Sequence, residues 1–331
     1  MAKHNVYDVA QKAEVSIATV SRVINSPEKV NEATRKRVLR AIDELGFVPK
    51  AEAAARARKA GRRIGVLSPF LTYPSFVQRL RGISNTIASS PYELLIYNVD
   101  DASRRDAYLA SLPVTQRLDG LIIMTLPFDE ATARRLRTFG LETVLIEFQH
   151  PAFSSITIDN RAGGRLAAEY LLSKGHRRFG FVGEKDLPAH AIPTSDWRRE
   201  GYCQVLAEAG FAMPETYIAL APLGLEPARA AALRLMDLPE PPTAIFASND
   251  TQAVGVLKAA RERGLAIPQN LAVLGFDDVE FADYVGLTTI RQQLEESGRV
   301  AAELLLSRLT DPTRPTQHVR LPLEIVKRGT A

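Results

Sequence analysis

From Ile64 onward the chain alternates short, nearly unbroken apolar runs with segments of helical periodicity, and this alternation excludes most other architectures. IGVLSPF, ELLIYNV, GLIIMTL, TVLIEF, FGFVG, AIFASND and LAVLGFDD read as strands, with helices such as PSFVQRLRGISNTIASS and RAGGRLAAEYLLSKG between them. A strand that is apolar on both sides must be covered on both faces, so the pattern predicts an α/β fold of parallel sheets sandwiched by helices. About two such sheets fit the length of the chain.

The stretch before these runs has a different character. VYDVAQKAEVSIATVSRVIN, from Val6 to Asn25, reads as two short helices broken by a tight corner at Glu14 and Val15. Ser16 is placed to cap the second helix, and Val9, Ala10, Val20 and Ile24 are available to join the pair. Ala18, Ser21, Arg22 and Asn25 share one face at i, i+3, i+4 and i+7, while Val20, Val23 and Ile24 lie opposite. The arrangement is a helix-turn-helix with one face packed and the other open to a DNA groove. An ordinary surface helix has the same periodicity, so charge carries the distinction. Residues 1–63 hold 14 Lys plus Arg against 7 Asp plus Glu, a net +7; subtraction from the totals of 42 and 38 leaves 28 against 31 for the rest. Positive charge is concentrated where phosphate binding needs it. Downstream, Asn31 is placed to cap a third helix ending near Leu45 before Gly46. Its Val38, Ala41, Ile42 and Leu45 close the small core with Phe47. PKAEAAARARKAGRR, Pro49 to Arg63, favours helix by composition but has no apolar face to bury. It reads as a linker that is helical only when something else stabilises it.

Other classes of function find little support. MAKHNVYDVA has no apolar signal region and no stretch reaches membrane-spanning length, so a cytoplasmic protein with no membrane partner is expected. The single cysteine, Cys203, lies in a helical pattern as a small hydrophobe, and the five histidines lack metal-ligand spacing, so no metal is expected. GFVG at Gly180 to Gly183 lacks dinucleotide-binding spacing, and neither a Walker loop nor a nucleophile elbow occurs; no cofactor and no catalysis are expected. Clefts at the carboxyl ends of parallel strands bind small molecules. The residues standing there are Ser68, Pro69, Phe70, Tyr73, Phe76, Glu147, Asn249, Asp250, Asp277 and Asp278, with Trp197 and Arg198 before the helix around Gly201. On residues alone the three aromatics read equally as packed core, and Asn249 and Asp277 as turn or capping residues.

YDVAQKAEVSIATVSRVIN followed by VNEATRKRVLRAIDELGFVP resembles the headpiece of the LacI/GalR (lactose-repressor) family of bacterial transcription regulators. The usual text there is close to DVAxxAGVSxxTVSRVLN and VSxxTRxRVxxAxxELGYxPN. ITIDNRAGGRLAAEYLLSKGHRRFGFVG, PPTAIFASNDTQAVGVLKAARERGL and LAVLGFDDVEF through TTIRQ are similar to the family's effector core, which has the periplasmic-sugar-binding fold, so the likeness covers essentially the whole chain. It implies a three-helix headpiece over 1–48, a hinge helix over 49–61 and an effector-binding core over 62–331. Within the core, one subdomain takes 62–160 and 289–320, the other 161–288 and 321–331. It also implies a repressor that binds double-stranded DNA at a palindromic operator as a homodimer. A small-molecule effector, a sugar or sugar-like compound, sets its affinity. The dimer is expected because a C-terminal heptad tail, which makes the family's tetramers, is missing.

Carried over position by position, the DNA-binding set is Tyr7, Ser16, Ile17, Ala18, Thr19, Ser21, Arg22, Asn25 and Arg56. The effector-binding set is Phe70, Tyr73, Phe76, Glu147, Arg198, Leu223, Asn249 and Asp277. Departures fall at Glu14 for the usual Gly, Glu147 for Asp, YPSF for NPFF, Leu223 where some members stack an aromatic, and Arg56 for the leucine that wedges between base pairs. A guanidinium gains little inside a base stack and more in a narrow minor groove, so Arg56 predicts an A·T-rich operator centre; the alternative reading is a hinge shifted by one residue or an Arg56 that only pairs with phosphate. Sugar, nucleoside and phosphorylated metabolite all stay open as effector. Competing readings are a sugar-binding protein without a regulatory role, against which the basic headpiece stands, and a nucleotide-fold enzyme.

Overall fold

The computed structural model describes residues 4–25, 29–47, 62–188 and 190–331. Three helices, α1 (Val6–Lys12), α2 (Ile17–Asn25) and α3 (Glu32–Leu45), form the headpiece. Each begins at a polar cap. Asn5 and Asp8 make a reciprocal capping box, Ser16 Oγ accepts the Thr19 N–H at 3.2 Å, and Asn31 Oδ1 accepts the Thr34 N–H at 2.8 Å. The corner between α1 and α2 puts Glu14 at φ 52, a left-handed conformation that costs a glycine little and a Glu more. Val9, Val20, Val38 and Ile42 are fully buried between the helices. Ala110, Val114 and Phe139 of the core extend this apolar cluster, and Arg135 pairs with Asp43 across the same contact.

The core is built on two six-stranded sheets. The first contains β1 (Arg62–Ser68), β2 (Tyr92–Asn98), β3 (Gly120–Met124), β4 (Glu142–Ile146), β5 (Ser154–Thr157) and β11 (His318–Arg320), in the order β11-β5-β4-β3-β1-β2 with every pairing parallel. The second contains β6 (Phe179–Glu184), β7 (Ile218–Ala221), β8 (Ala244–Ala247), β9 (Ala272–Asp277), β10 (Thr288–Arg291) and β12 (Glu324–Val326), in the order β12-β10-β9-β8-β6-β7. Only β12 runs antiparallel among these described strands, against β10. Both sheets therefore wind alike. Helices α4 (Pro74–Ile87), α5 (Ala102–Thr115), α6 (Glu130–Thr138) and α12 (Leu294–Thr310) belong to the first. Helices α7 (Asn160–Ser173), α8 (Thr194–Glu208), α9 (Leu225–Met236), α10 (Asp250–Glu262) and α11 (Glu280–Tyr284) belong to the second.

The chain crosses between the halves after β5, after β10 and after β11. A return at Thr289 is expected from the sequence; the structure corrects it. Thr288–Arg291 bonds along β9 in register Thr288↔Leu274 to Arg291↔Asp277 and buries Ile290 fully, so the strand stays in the second sheet and the return follows Arg291. Among the described residues no helix is long and apolar enough to cross a membrane.

Candidate effector cleft and DNA-reading face

Of the strand ends that meet at one cavity, four hold a non-glycine residue at positive φ: Phe70 at 52° after β1, Thr125 at 50° after β3, Glu147 at 61° after β4 and Asp277 at 121° closing β9. Left-handed backbone costs such residues on the order of 1–3 kcal/mol each, and it persists only where surrounding structure holds it, typically at a site. All eight residues expected to face the effector, Phe70, Tyr73, Phe76, Glu147, Arg198, Leu223, Asn249 and Asp277, line this cavity. The aromatics form one wall, with Phe70 edge-on to Tyr73 at 5.6 Å and to Phe76 at 5.8 Å between ring centroids.

The polar floor is a closed ring of six side chains. Arg79 Nη2 donates to Gln292 Oε1 at 2.8 Å, Gln292 Nε2 donates to Asp277 Oδ1, and Arg198 Nη1 stands 3.5 Å from that same oxygen. Arg198 Nε donates to Asn160 Oδ1 at 2.8 Å, Asn160 Nδ2 donates to Glu147 Oε2 at 3.4 Å, and Glu147 Oε1 lies 3.6 Å from Arg79 Nη2. Arg79 and Glu147 come from the first half, Arg198 and Asp277 from the second, and Asn160 and Gln292 stand at two of the three crossovers. Arg198 is held further by the Ser248 carbonyl at 2.6 Å and by the Phe276 ring, whose centroid lies 3.6 Å from the guanidinium carbon. Burial raises the carboxyls of Glu147 and Asp277, against the pull of Arg79 and Arg198. At the rim, burial lifts Glu184 to about 7, and Asn249 Nδ2 donates to its Oε1 at 2.6 Å.

Two reciprocal glycine contacts set the arginines. A Cβ on Gly201 would come within 2.0 Å of the Arg161 carbonyl oxygen and one on Gly164 within 1.9 Å of the Arg198 oxygen, so α7 and α8 pack backbone to backbone. Gly82 and Gly298 do the same for α4 and α12, against Glu295 and Arg79 at 2.0 Å each. Arg79, Thr125, Glu184 and Gln292 line the cavity without having been singled out from the sequence. One signal for Arg79 was available: Arg79-Leu80-Arg81-Gly82 repeats the R-x-x-G spacing of Arg198 and Gly201. Three other residues singled out from the sequence turn elsewhere, and Trp197 and Arg198 stand within α8 and not before it. Trp197 lies under the Arg161 guanidinium, Asp250 accepts the Thr289 hydroxyl and the Val279 N–H, and Asp278 pairs with Arg291 and Arg328.

On the headpiece, Tyr7 is 67% and Ile17 40% exposed, and Ser16, Ala18, Ser21 and Arg22 are exposed beside them. Thr19 is half-buried, its hydroxyl 2.9 Å from Ser16 Oγ. Asn25 belongs to α2 by its backbone, and Arg56 lies outside the described residues. A solvent-facing row on the second helix of a basic helix-turn-helix is the geometry that enters a major groove.

The pattern of bacterial regulatory proteins of the lacI family matches residues 5–50, and that of a periplasmic binding protein-like domain matches residues 168–331. The HTH-type transcriptional repressor CytR of Escherichia coli (strain K12) is 33% identical over 328 residues, spanning 98% of this chain and 95% of that one. The chain belongs to the lacI family. Its likeness to the family extends over nearly the whole chain: the ribose operon repressor of the same organism is 33% identical over 330 residues, 98% of each chain. A lacI-family regulator from Enterococcus faecium, solved with bound ribose, superposes with a TM-score of 0.72 at 27% identity, over 82% of this chain and 98% of that one. As a member of the lacI family, the protein is a transcriptional regulator that binds DNA through its headpiece.

Proposed function

We propose that this regulator is a repressor whose operator affinity is set by a sugar or sugar-like effector held in the cleft. The observation that carries the reading is the ring joining Arg79, Gln292, Asp277, Arg198, Asn160 and Glu147. It presents donors and acceptors to vicinal hydroxyls and ties both halves together at their crossovers. A ligand seated on it favours one arrangement of the halves, and only one arrangement spaces two headpieces for an operator. The work is binding and not turnover, and it is done on DNA in the cytoplasm. The two relatives that repress transcription and the ribose-bound neighbour support the same view.

Two copies form the unit that reads a palindrome. Support comes from an apolar groove shared by Pro74 and Val77 on α4 and Phe281 and Tyr284 on α11, bridged by Arg81 and Glu280 at 2.9 Å. Tyr284 is 85% and Val77 42% exposed in the single chain, and with Phe281 they line one groove, a contiguous apolar surface of the kind that marks an interaction site.

Thermal shift against neutral sugars, with and without operator, identifies effectors, because a ligand that binds the native state raises Tm. Asp277→Ala is expected to lose effector binding while ligand-free operator binding persists. Arg22→Ala is expected to do the converse, weakening operator binding by about 1–3 kcal/mol and relaxing one base preference. Unchanged effector affinity in the first variant removes Asp277 from the site; an unchanged half-site preference in the second removes Arg22 from the reading face.

A further inference from the structure

Five charged side chains line the cleft: Arg79 and Arg198 against Glu147, Asp277 and Glu184. The ring pairs each guanidinium with a carboxylate, Arg79 with Glu147 and Arg198 with Asp277. Glu184 is left over. Among the described residues no cation lies within ion-pair distance of it; its Oε1 takes only the neutral Asn249 amide. Two further polar atoms at the cavity, Arg79 Nε and Thr125 Oγ1, are buried without a hydrogen-bond partner among the described residues. Each offers a single donor suited to a hydroxyl oxygen.

Resting on the sugar-effector reading above, we propose that the effector is an uncharged or aminated polyol whose hydrogen-bond donor meets Glu184, and that the cleft rejects the phosphorylated and carboxylated counterparts of the same sugars. An anion entering here must draw Arg79 from Glu147 or Arg198 from Asp277, stranding a buried carboxylate, and must also face Glu184. Three helix N-termini open on the cavity, a feature that elsewhere favours anions. Here each carries a feature that works against an anion: Pro74 at the start of α4 has no N–H to give, Asn249 Oδ1 caps α10 by accepting the Gln252 N–H at 2.8 Å, and beside the first turn of α8 stands the acidic Glu184 at the end of β6, its N–H donating to Ser195 Oγ at 3.0 Å.

The test is calorimetry on the full chain with matched probes: D-ribose against D-ribose 5-phosphate, and D-glucose against D-glucosamine, D-glucose 6-phosphate and D-glucuronate. In the wild type, the neutral or aminated member is expected to bind more tightly than its anionic counterpart by on the order of 100-fold, the penalty of a like-charge juxtaposition. Glu184→Gln, which keeps the acceptor for Asn249, is expected to narrow that gap by about tenfold. An anionic member binding as well as its parent overturns the inference and leaves the sugar-effector reading standing, and this arm needs no variant. A gap that Glu184→Gln leaves unchanged overturns the role of Glu184. Binding by none of the probes, with or without operator, overturns the sugar-effector reading and this inference with it.

Discussion

Glu184 titrates near 7 where an unfolded Glu titrates near 4.5, because protein surrounds the carboxyl and Asp277 and Asp196 add their repulsion against the attraction of Arg198. The folded pKa is raised, so between these values the native state holds more protons than the unfolded one. The stability this group contributes is complete below about pH 4.5 and is lost as pH rises through 7. Glu184→Gln does not titrate. The unfolding free energy of the wild type, measured relative to that variant, is expected to fall across this window by at most about 3 kcal/mol and to level off above it. Denaturant melts at a series of pH values check this, and a difference independent of pH would rule it out. Glu147 and Asp277 are raised too, but the ring supplies each with a guanidinium, and Glu184→Gln leaves those pairs in place.

The α7–α8 pair and the α4–α12 pair do one job twice. Each uses two small residues to bring helix backbones together, and each sets an arginine three residues before one of those glycines onto the ring. Gly201→Ala places a methyl within 2.0 Å of the Arg161 carbonyl oxygen. Backbone cannot yield as a side chain tip does, so the helices must part. Overpacking of this kind costs roughly 1–3 kcal/mol. The expected outcome is a lower Tm by calorimetry together with weakened sugar binding, since Arg198 moves with its helix. A variant that melts like the wild type and binds sugar as tightly would mean the close approach does not position the arginine.

Across the whole molecule, the effector signal must pass between two halves that the chain joins at three crossovers, two of them carrying Asn160 and Gln292 of the ring. Asn160 bonds Glu147 of one half and Arg198 of the other, and Gln292 bonds Arg79 and Asp277 in the same way, so in the proposed mechanism a ligand seated on the ring acts where the halves join. In the proposed dimer, operator binding depends on pairing two such chains. Tyr284→Asp puts a charge into the exposed apolar groove and is expected to shift sedimentation from dimer to monomer and to reduce operator affinity, with sugar binding retained. A sedimentation profile unchanged by this substitution would place the pairing surface elsewhere.

Local physics was enough for much of this protein. Apolar runs with period-free burial announced β1, β3, β4, β6, β8 and β9; caps at Ser16 and Asn31 and the glycine at Gly46 bounded the headpiece helices; and text matching at strand ends named eight side chains of the cleft. The short strands β5, β7, β11 and β12 have three or four residues each. Too few to show a period, they exist only because a neighbouring edge offers hydrogen bonds. The crossover after Arg291 was equally hidden, since one residue of register against β9 decides it. Arg79, Gln292 and Glu184 escaped for a related reason. For Arg79 the R-x-x-G spacing to Gly82 was the one local signal, and it does not say which carboxylate the guanidinium meets, because Glu147 lies sixty-eight positions away in the chain. Pattern and propensity act over a few residues and so determined the elements, the headpiece and the strand ends. Charge pairing in a buried cleft acts through space, and only the tertiary structure decided which carboxylate was left without a cation in ion-pair contact.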